Sequence, residues 1–313
     1  MMDFSTLRYV ALTLIGMIFA GTATGAGARA EPAPPIVDVA WLAPRTCSAD
    51  LVVLDLRRSA RNFEAEHVPC AVHSDYYNGG WRMTRGGVEN MVPAVERLET
   101  LIGGLGIGNA THVVLVTAAL DMFSPAELAR VYFIFRALGH DSVSILEGGI
   151  GAWTADWDND IEVGPATVRP TSFTAHPRAD LIAGRGDVEA ALDGGVSLVD
   201  MRANDHYLGI NSSPVVVRPG TIPGAANLPM MWLVVDGKLK FRTPAQIRRL
   251  WRAAGLDADG AQILFCNSGL ESAIGWLSLG GILGNKNVRL YDGSLAEWSA
   301  DASLPMQLAV PLE

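Results

Sequence analysis

The feature that most constrains this chain is an internal duplication: the same sequence pattern occurs in both halves. Residues 51–57 (LVVLDLR) match residues 196–202 (VSLVDMR), and both apolar runs end in Asp-apolar-Arg. The aspartates of the two runs are 145 residues apart, and the same distance separates Trp153 from Trp298. Because the repeat distance has the size of a whole domain, it indicates two copies of one domain and not a solenoid of short repeats.

Each copy alternates short apolar runs with helical patterns. In both copies the order is strand, helix, strand. The first copy has a strand at 113–116, a helix that starts at Ser124 and stops at Gly139, and a strand at 143–146; the second has them at 263–265, 272 to about 283, and 288–291. Strands that alternate with helices predict a parallel sheet covered by helices on both faces. We therefore predict two α/β domains, 36–157 and 171–304. The boundary falls near residues 158–171, where acidic residues, glycine and proline interrupt the patterns.

The first thirty residues have the pattern of a secretory signal. Arg8 precedes an apolar stretch at residues 9–20, and small residues then lead to Ala28-Arg29-Ala30. An apolar stretch of this length is shorter than the roughly 20 residues that span a bilayer, and the A-x-A ending is typical of a cleavage site. We predict that residues 1–30 are a signal peptide and that the protein is exported to the periplasm without stable membrane association. The alternative is an uncleaved membrane anchor.

Charge and short motifs exclude several kinds of partner. The chain has 24 Lys and Arg against 33 Asp and Glu, a net charge of -9, and no long basic run, so a nucleic-acid partner is not expected. There is no C-x-x-C pair, no P-loop, and no G-x-G-x-x-G after the first strand of either copy. The string His67-x-x-Cys70-x-x-His73 suggests a metal site, but on a strand its middle residue points away from the other two. No cofactor and no metal are expected.

The segment that carries chemistry surrounds Cys266. This cysteine lies at the carboxyl end of the buried strand 263–265, a loop with Gly269 follows, and a helix begins near Ser272. Ligands of parallel sheets bind beyond the carboxyl ends of the strands, where backbone N–H groups of such a loop can stabilise a thiolate. The alternative is a structural buried cysteine. A phosphatase of this type needs an arginine six positions after the cysteine, and that position is Ser272, so sulfur transfer fits better.

These features together resemble the tandem rhodanese family of thiosulfate and 3-mercaptopyruvate sulfurtransferases. The resemblance rests on the repeated Asp-x-Arg, the strand-Cys-loop-helix segment and the terminal Gly-x-x-x-Trp, and it covers about residues 36–304. It implies two rhodanese-like domains and an enzyme that moves sulfane sulfur from an anionic donor, thiosulfate or 3-mercaptopyruvate, to a thiol or cyanide. It implies that Cys266 is the persulfide-forming nucleophile within a cradle of six residues: Asn267, Ser268, Gly269, Leu270, Glu271 and Ser272. The loop 117–121 of the first copy contains no cysteine, which fits the inactive amino-terminal domain of the family.

Some positions depart from the family pattern and leave alternatives open. Glu271 either places a carboxylate beside the anionic site or points outward at the start of the helix. A substrate arginine that family members commonly carry is replaced by His206. Arg218 either supplies the missing cation or is a solvated loop residue. These departures motivate a competing hypothesis, a rhodanese-like sulfur-binding or interaction protein without turnover.

Two further interpretations concern structure. Cys47 and Cys70 flank the first strand. We hypothesise that they form a disulfide in an oxidising compartment, which would leave Cys266 free. The Asp-x-Arg pairs occur in both copies, including the one without a nucleophile. They are therefore interpreted as structural ion pairs.

Overall fold

The structure is a computed structural model, and it describes residues 34–235 and 239–312. The predicted signal peptide, residues 1–30, lies outside the described residues. The described chain contains fourteen strands: β1 Ile36–Val37, β2 Leu51–Asp55, β3 Val72–His73, β4 Met83–Arg85, β5 Val88–Met91, β6 His112–Val116, β7 Val143–Leu146, β8 Ile182–Ala183, β9 Ser197–Asp200, β10 Ala226–Asn227, β11 Val234–Val235, β12 Lys240–Phe241, β13 Gln262–Phe265 and β14 Val288–Tyr291.

Ten α-helices alternate with these strands in the described residues. They are α1 Val39–Leu42, α2 Ala60–Ala65, α3 Val95–Gly104, α4 Ser124–Ala137, α5 Gly149–Thr154, α6 Arg185–Ala191, α7 Asn204–Leu208, α8 Pro244–Ala253, α9 Ser272–Trp276 and α10 Ser294–Trp298. The turn after α9, Leu277–Ile282, continues as π-helix. The start of α8 shows how sequence sets such an element: Thr243 accepts a hydrogen bond from the N–H of Gln246, and Pro244 occupies the first turn.

The two copies build the same sheet. The first sheet has the order β1-β7-β6-β2-β3, and the second has the order β8-β14-β13-β9-β10. Every neighbouring pair in both sheets is parallel. The strands of the second copy therefore take the same places in the same sequence, which confirms the prediction of two parallel-sheet α/β domains. Both sheets lie within the predicted ranges 36–157 and 171–304, whose ends stay predictions.

Alternate residues of each central strand are buried on opposite faces. Val113 and Leu115 of β6 belong to one apolar cluster with α3 and α4, while Val114 and Val116 belong to a second cluster with α2 and α5. The continuous apolar run HVVLV is explained by this burial on both faces. The prediction of helices on both faces is confirmed.

The two copies share a core where α4 packs against α9. The ring centroids of Phe133 and Trp276 are 5.0 Å apart, in an edge-to-face arrangement. One apolar cluster contains the inner faces of both sheets together with these helices. Because α9 directly follows the loop of Cys266, this packing places the first copy against the segment that carries the chemistry.

The structure joins Cys47 and Cys70 in a disulfide with a Cα–Cα distance of 5.2 Å. That distance lies in the usual range for a disulfide. The neighbouring histidines have other partners: His67 Nδ1 lies 2.8 Å from the carbonyl oxygen of Phe63, and His73 Nε2 lies 2.6 Å from that of Arg57. The H-x-x-C-x-x-H string thus serves the fold. Within residues 34–235 and 239–312, no helix is both long and apolar enough to cross a bilayer.

Candidate active site

Cys266 lies at the carboxyl end of β13 and is completely buried. It is a free thiol. Both of its backbone polar groups are bonded: the N–H donates to Ser294 Oγ at 3.2 Å, and the carbonyl oxygen accepts from the N–H of Leu295 at 3.1 Å. The start of α10 therefore holds the candidate nucleophile in place at the carboxyl end of the central strand, where the sequence predicted it.

The loop from Asn267 to Ser272 wraps around the sulfur. Burial raises the pKa of the Cys266 thiol, and the backbone N–H groups of Ser268 and Ser272 oppose that rise because they stabilise a negative charge on sulfur. Gly269 has φ of 78°, and a Cβ at this position would lie 2.9 Å from the carbonyl oxygen of Asp292. Only glycine fits this turn, which lies between the two N–H donors, Ser268 and Ser272.

Burial and charge act against these donors. Burial is the largest cause that raises the pKa of Cys266, and the negative charge of Glu271 raises it further. The Ser272 hydroxyl favours the thiolate, although it is buried without a hydrogen bond of normal geometry. In the resting site the thiol form of Cys266 is consequently favoured over the thiolate.

Glu271 lies beside the nucleophile and does not point outward. Asn267 Nδ2 donates to Glu271 Oε2 at 3.1 Å, and the side chain is half-buried. Burial, and after it the negative charge of Asp200, raise the pKa of Glu271 to about 7. The outward alternative is wrong because the loop curls at Gly269 and turns this position toward the sulfur. A carboxylate that titrates near neutrality therefore shares the site with Cys266.

The Asp-x-Arg pairs are buried ion pairs in both copies. Arg57 Nη2 lies 2.8 Å from Asp55 Oδ2, and Arg202 Nη2 lies 2.6 Å from Asp200 Oδ2. Arg202 also donates to the carbonyl oxygen of Gly220 at 2.7 Å. They bond within their own domains, as expected for structural pairs, and Asp200 additionally contributes to the raised pKa of Glu271.

The structure contradicts both alternatives for Arg218. Each of its three side-chain nitrogens donates to backbone carbonyl oxygens between residues 298 and 304, at 2.8 Å to Ser299 and 2.8 Å to Leu304. Arg218 is therefore neither a substrate cation nor a solvated loop residue, since its guanidinium ties down the segment after α10. His206 lies half-buried on α7, with no side-chain hydrogen bond among the described residues, and its substrate role stays a prediction.

The first copy supplies residues that the sequence did not reveal. The β4–β5 hairpin reaches the cradle, where Asn90 Nδ2 donates to Ser268 Oγ at 3.1 Å and the N–H of Val92 donates to Asp292 Oδ2 at 2.9 Å. The inactive copy thus forms one wall of the site and bonds directly to a residue whose N–H faces the sulfur.

Arg130 of α4 is the most deeply placed of these residues. Its side chain is fully buried, forms an ion pair with Asp292, and donates to the carbonyl oxygen of Gly269 at 3.3 Å and to that of Asn90 at 3.1 Å. Burial lowers the pKa of Arg130, but the negative charge of Asp292 opposes this effect, and the pKa is raised overall. A signal was present in the sequence: a charged residue in the middle of α4, followed directly by the apolar run of residues 131–135.

Thr117 occupies the place in the first copy that Cys266 occupies in the second. Val116 pairs with Asp55 as Phe265 pairs with Asp200, so the next residue of each strand is equivalent. The N–H of Ile150 donates to the carbonyl oxygen of Thr117 at 3.0 Å, just as Leu295 does to Cys266. The first copy accordingly carries a hydroxyl where a thiol nucleophile would lie.

A model of the rhodanese-like domain matches the chain twice, at residues 38–156 and 185–301. Human 3-mercaptopyruvate sulfurtransferase is 30% identical over 273 residues, which are 86% of this chain and 86% of that protein. SseA of Escherichia coli, described as a 3-mercaptopyruvate sulfotransferase with the rhodanese fold, superposes with a TM-score of 0.72 at 26% identity, covering 84% of this chain and 99% of SseA.

A third similar protein is an enzyme with a different activity. An anaerobic ergothioneine biosynthesis enzyme from Chlorobium limicola superposes with a TM-score of 0.69 at 23% identity, covering 83% of this chain and 65% of that one. At this identity the likeness concerns the fold alone.

Proposed function

The chain belongs to the rhodanese-like family and carries that domain twice, and from this premise we propose that it is a sulfurtransferase that works through a persulfide on Cys266. The observation that carries the proposal is the placement of one free thiol at the end of β13, with the N–H groups of Ser268 and Ser272 around its sulfur. The donors are thiosulfate or 3-mercaptopyruvate, and the acceptor is a thiol or cyanide.

The reaction proceeds in two displacements. The Cys266 thiolate attacks the outer sulfur of thiosulfate, the sulfur–sulfur bond of the donor breaks, and its electron pair leaves with sulfite. With 3-mercaptopyruvate the carbon–sulfur bond breaks instead, and the thiol proton passes to carbon to give pyruvate. The persulfide anion then rests against the N–H groups of Ser268 and Ser272, which stabilise it. Cyanide or a thiolate attacks the outer sulfur and regenerates the Cys266 thiolate.

Steady-state kinetics test this scheme. Because the first product leaves before the acceptor reacts, initial rates of thiocyanate formation should follow ping-pong kinetics. Double-reciprocal plots against thiosulfate at several fixed cyanide concentrations are expected to be parallel. Plots that intersect would indicate a ternary complex and contradict the covalent intermediate.

A second candidate function is a sulfur-binding protein that does not turn over. One observation favours it: the Glu271 carboxylate raises the pKa of Cys266 and opposes an anionic donor. Such a protein would take up sulfur from thiosulfate but would form no thiocyanate when cyanide is added. A phosphatase or arsenate reductase is disfavoured, because Ser272 stands where the loop would need an arginine to hold the oxyanion.

The charge of Glu271 should make the reactivity of Cys266 depend on pH in a specific way. Glu271 is neutral below its pKa of about 7 and ionised above it, so it raises the pKa of Cys266 only in the upper range. We expect Glu271→Gln to increase the rate of Cys266 alkylation by iodoacetamide severalfold at pH 8 and to change it little at pH 6.

Glu96→Gln is the matched control for this comparison, since Glu96 is exposed on α3 and its replacement removes the same charge. Its alkylation profile should follow that of the parent protein. Equal alkylation of the Glu271→Gln and parent proteins at pH 8 would contradict the influence of Glu271 on the sulfur.

We propose that the protein is exported and that residues 1–30 are removed. The signal pattern of the sequence supports this, and so does the Cys47–Cys70 disulfide, because disulfides persist in oxidising compartments. Mass spectrometry of the exported protein should find Glu31 as the first residue. A full-length chain in the membrane fraction would instead support an uncleaved anchor.

A further inference from the structure

The first copy carries four arginines on or around the β4–β5 hairpin and α4, namely Arg58, Arg82, Arg85 and Arg130, which we call the arginine wall. Arg58 follows β2, Arg82 and Arg85 lie beside and within the β4–β5 hairpin, and Arg130 lies on α4. Arg130 and the hairpin contact the cradle itself. The wall therefore offers positive charge to a site whose own copy provides no free substrate arginine at position 218.

Three of the four arginines lie near carboxylates, and two of them share the same one. Arg58 Nη2 lies 2.6 Å from Glu127 Oε1. Arg130 pairs with Asp292, and Arg85 Nη2 lies 3.9 Å from the same carboxylate. Arg58 and Arg130 are thus held in close ion pairs, whereas Arg85 is 59% exposed and shares Asp292 at a longer distance.

Arg82 differs from the other three. No carboxylate lies within 4.0 Å of its guanidinium among the described residues, and its hydrogen bonds go to neutral oxygens: Nε donates to the carbonyl oxygen of Tyr77 at 3.1 Å, and Nη1 donates to Asn90 Oδ1. The guanidinium carbon lies 4.6 Å from the centre of the Tyr77 ring. The remaining nitrogen, Nη2, has no partner in the described structure and is not fully buried. A half-buried cation thus keeps one donor edge open.

Arg82 is joined to the cradle through a single residue. Asn90 accepts from Arg82 and donates to Ser268 Oγ at 3.1 Å, and the N–H of Ser268 faces the Cys266 sulfur. The open edge of the guanidinium is therefore held two hydrogen bonds away from a residue that contacts the nucleophile.

We propose that Arg82 of the inactive copy binds the oxyanion end of the sulfur donor, which is the sulfonate of thiosulfate or the carboxylate of 3-mercaptopyruvate. The inference rests on the proposed function. When the donor's sulfur meets Cys266, its charged end needs a cation elsewhere, and Arg218 is bound to backbone carbonyls. The planar fork of an arginine suits such an oxyanion, and its open edge is free to bind one.

The test replaces Arg82 by glutamine, which removes the charge and keeps an N–H donor for Asn90. For each of the two donors, KM should rise about tenfold while kcat stays within about twofold, since the lost contact is made equally in the ground and transition states. Arg82→Lys should recover part of the affinity, because the charge returns without the fork. Arg249→Gln is the control, since Arg249 is exposed on α8 and its replacement removes the same charge.

Binding is measured separately from turnover. Calorimetry of thiosulfate with Cys266→Ser should show about tenfold weaker binding when Arg82→Gln is added, with urea midpoints establishing that both proteins are folded. An unchanged KM and an unchanged dissociation constant would overturn the role of Arg82 while the proposed function stands. If no protein, the parent included, turns over either donor, the proposed function fails. Loss of calorimetric binding with Arg82 would still support the anion site.

Discussion

Replacement of Arg130 by methionine should lower the free energy of unfolding by about 3–5 kcal/mol, because it leaves the buried Asp292 with only the exposed Arg85, 3.9 Å away, as a counter-charge. Both side chains of this ion pair are almost completely inaccessible to water. The change also removes the donor that holds the carbonyl oxygen of Gly269, so kcat should fall together with stability. Urea unfolding followed by tryptophan fluorescence, with activity measured well below the transition, checks both expectations.

A double-mutant cycle separates the unpaired charge from the lost packing. Asp292→Asn keeps an acceptor for the N–H of Val92 but removes the charge. Arg130→Met combined with Asp292→Asn should therefore be more stable than Arg130→Met alone, because no unpaired carboxylate remains. Costs that simply add in the double variant would contradict a direct ion pair as the source of the effect.

Cys266→Ser should reduce thiocyanate formation by at least about 10³-fold, to the uncatalysed background, because a serine hydroxyl does not ionise at neutral pH and does not form a persulfide. Its free energy of unfolding should stay within about 1 kcal/mol of the parent value, since the two side chains have similar shapes. Thiocyanate formation is measured with thiosulfate and with 3-mercaptopyruvate as donors. Activity that survives the substitution would place the nucleophile elsewhere.

The first copy offers a matched control for this substitution. Thr117→Cys in the Cys266→Ser background puts a thiol at the equivalent strand end, but two N–H groups of the following loop are already engaged. Those of Leu120 and Asp121 both donate to Ser124 Oγ at 3.3 Å. We expect no recovery of sulfur transfer, since a thiol without free N–H donors lacks support for the persulfide anion. Recovered activity would mean that a strand-end thiol alone suffices.

The fold was predictable because its determinants are local. Apolar runs, helical patterns and the 145-residue repeat lie in the sequence itself, and the end of β13 fixes the position of Cys266. Parallel strands bring their carboxyl ends to one edge whatever the details of the helices. The position of the candidate nucleophile therefore followed from the same pattern as the fold.

The wall of the site was not predictable in the same way. Arg130 and Gly269 are 139 residues apart, and Asn90 and Ser268 are 178 residues apart. Such contacts depend on how one copy packs on the other, which no periodicity within either copy encodes. Arg130 nevertheless left a trace, because a charged residue between buried neighbours of α4 requires a buried partner.

The positions of Glu271 and Arg218, which the sequence left open, depend on the same kind of determinant. Glu271 was compatible with an outward position at a helix start, but the turn at Gly269 brings its carboxylate to the sulfur. Arg218 was a candidate for the missing substrate cation, yet its guanidinium donates to carbonyl oxygens of residues 298–304. In both cases the direction of the side chain is set by loop conformation and by tertiary partners, and sequence neighbours do not determine it.

The persulfide itself is the central claim, and mass spectrometry of the Cys266 peptide tests it most directly. The protein is incubated with thiosulfate without an acceptor, digested under non-reducing conditions, and compared with a sample that is afterwards treated with cyanide. We predict that the peptide containing Cys266 gains the mass of one sulfur atom and loses it again when cyanide is added. A Cys266 peptide of unchanged mass, or a sulfur atom found only on another peptide, would contradict the account.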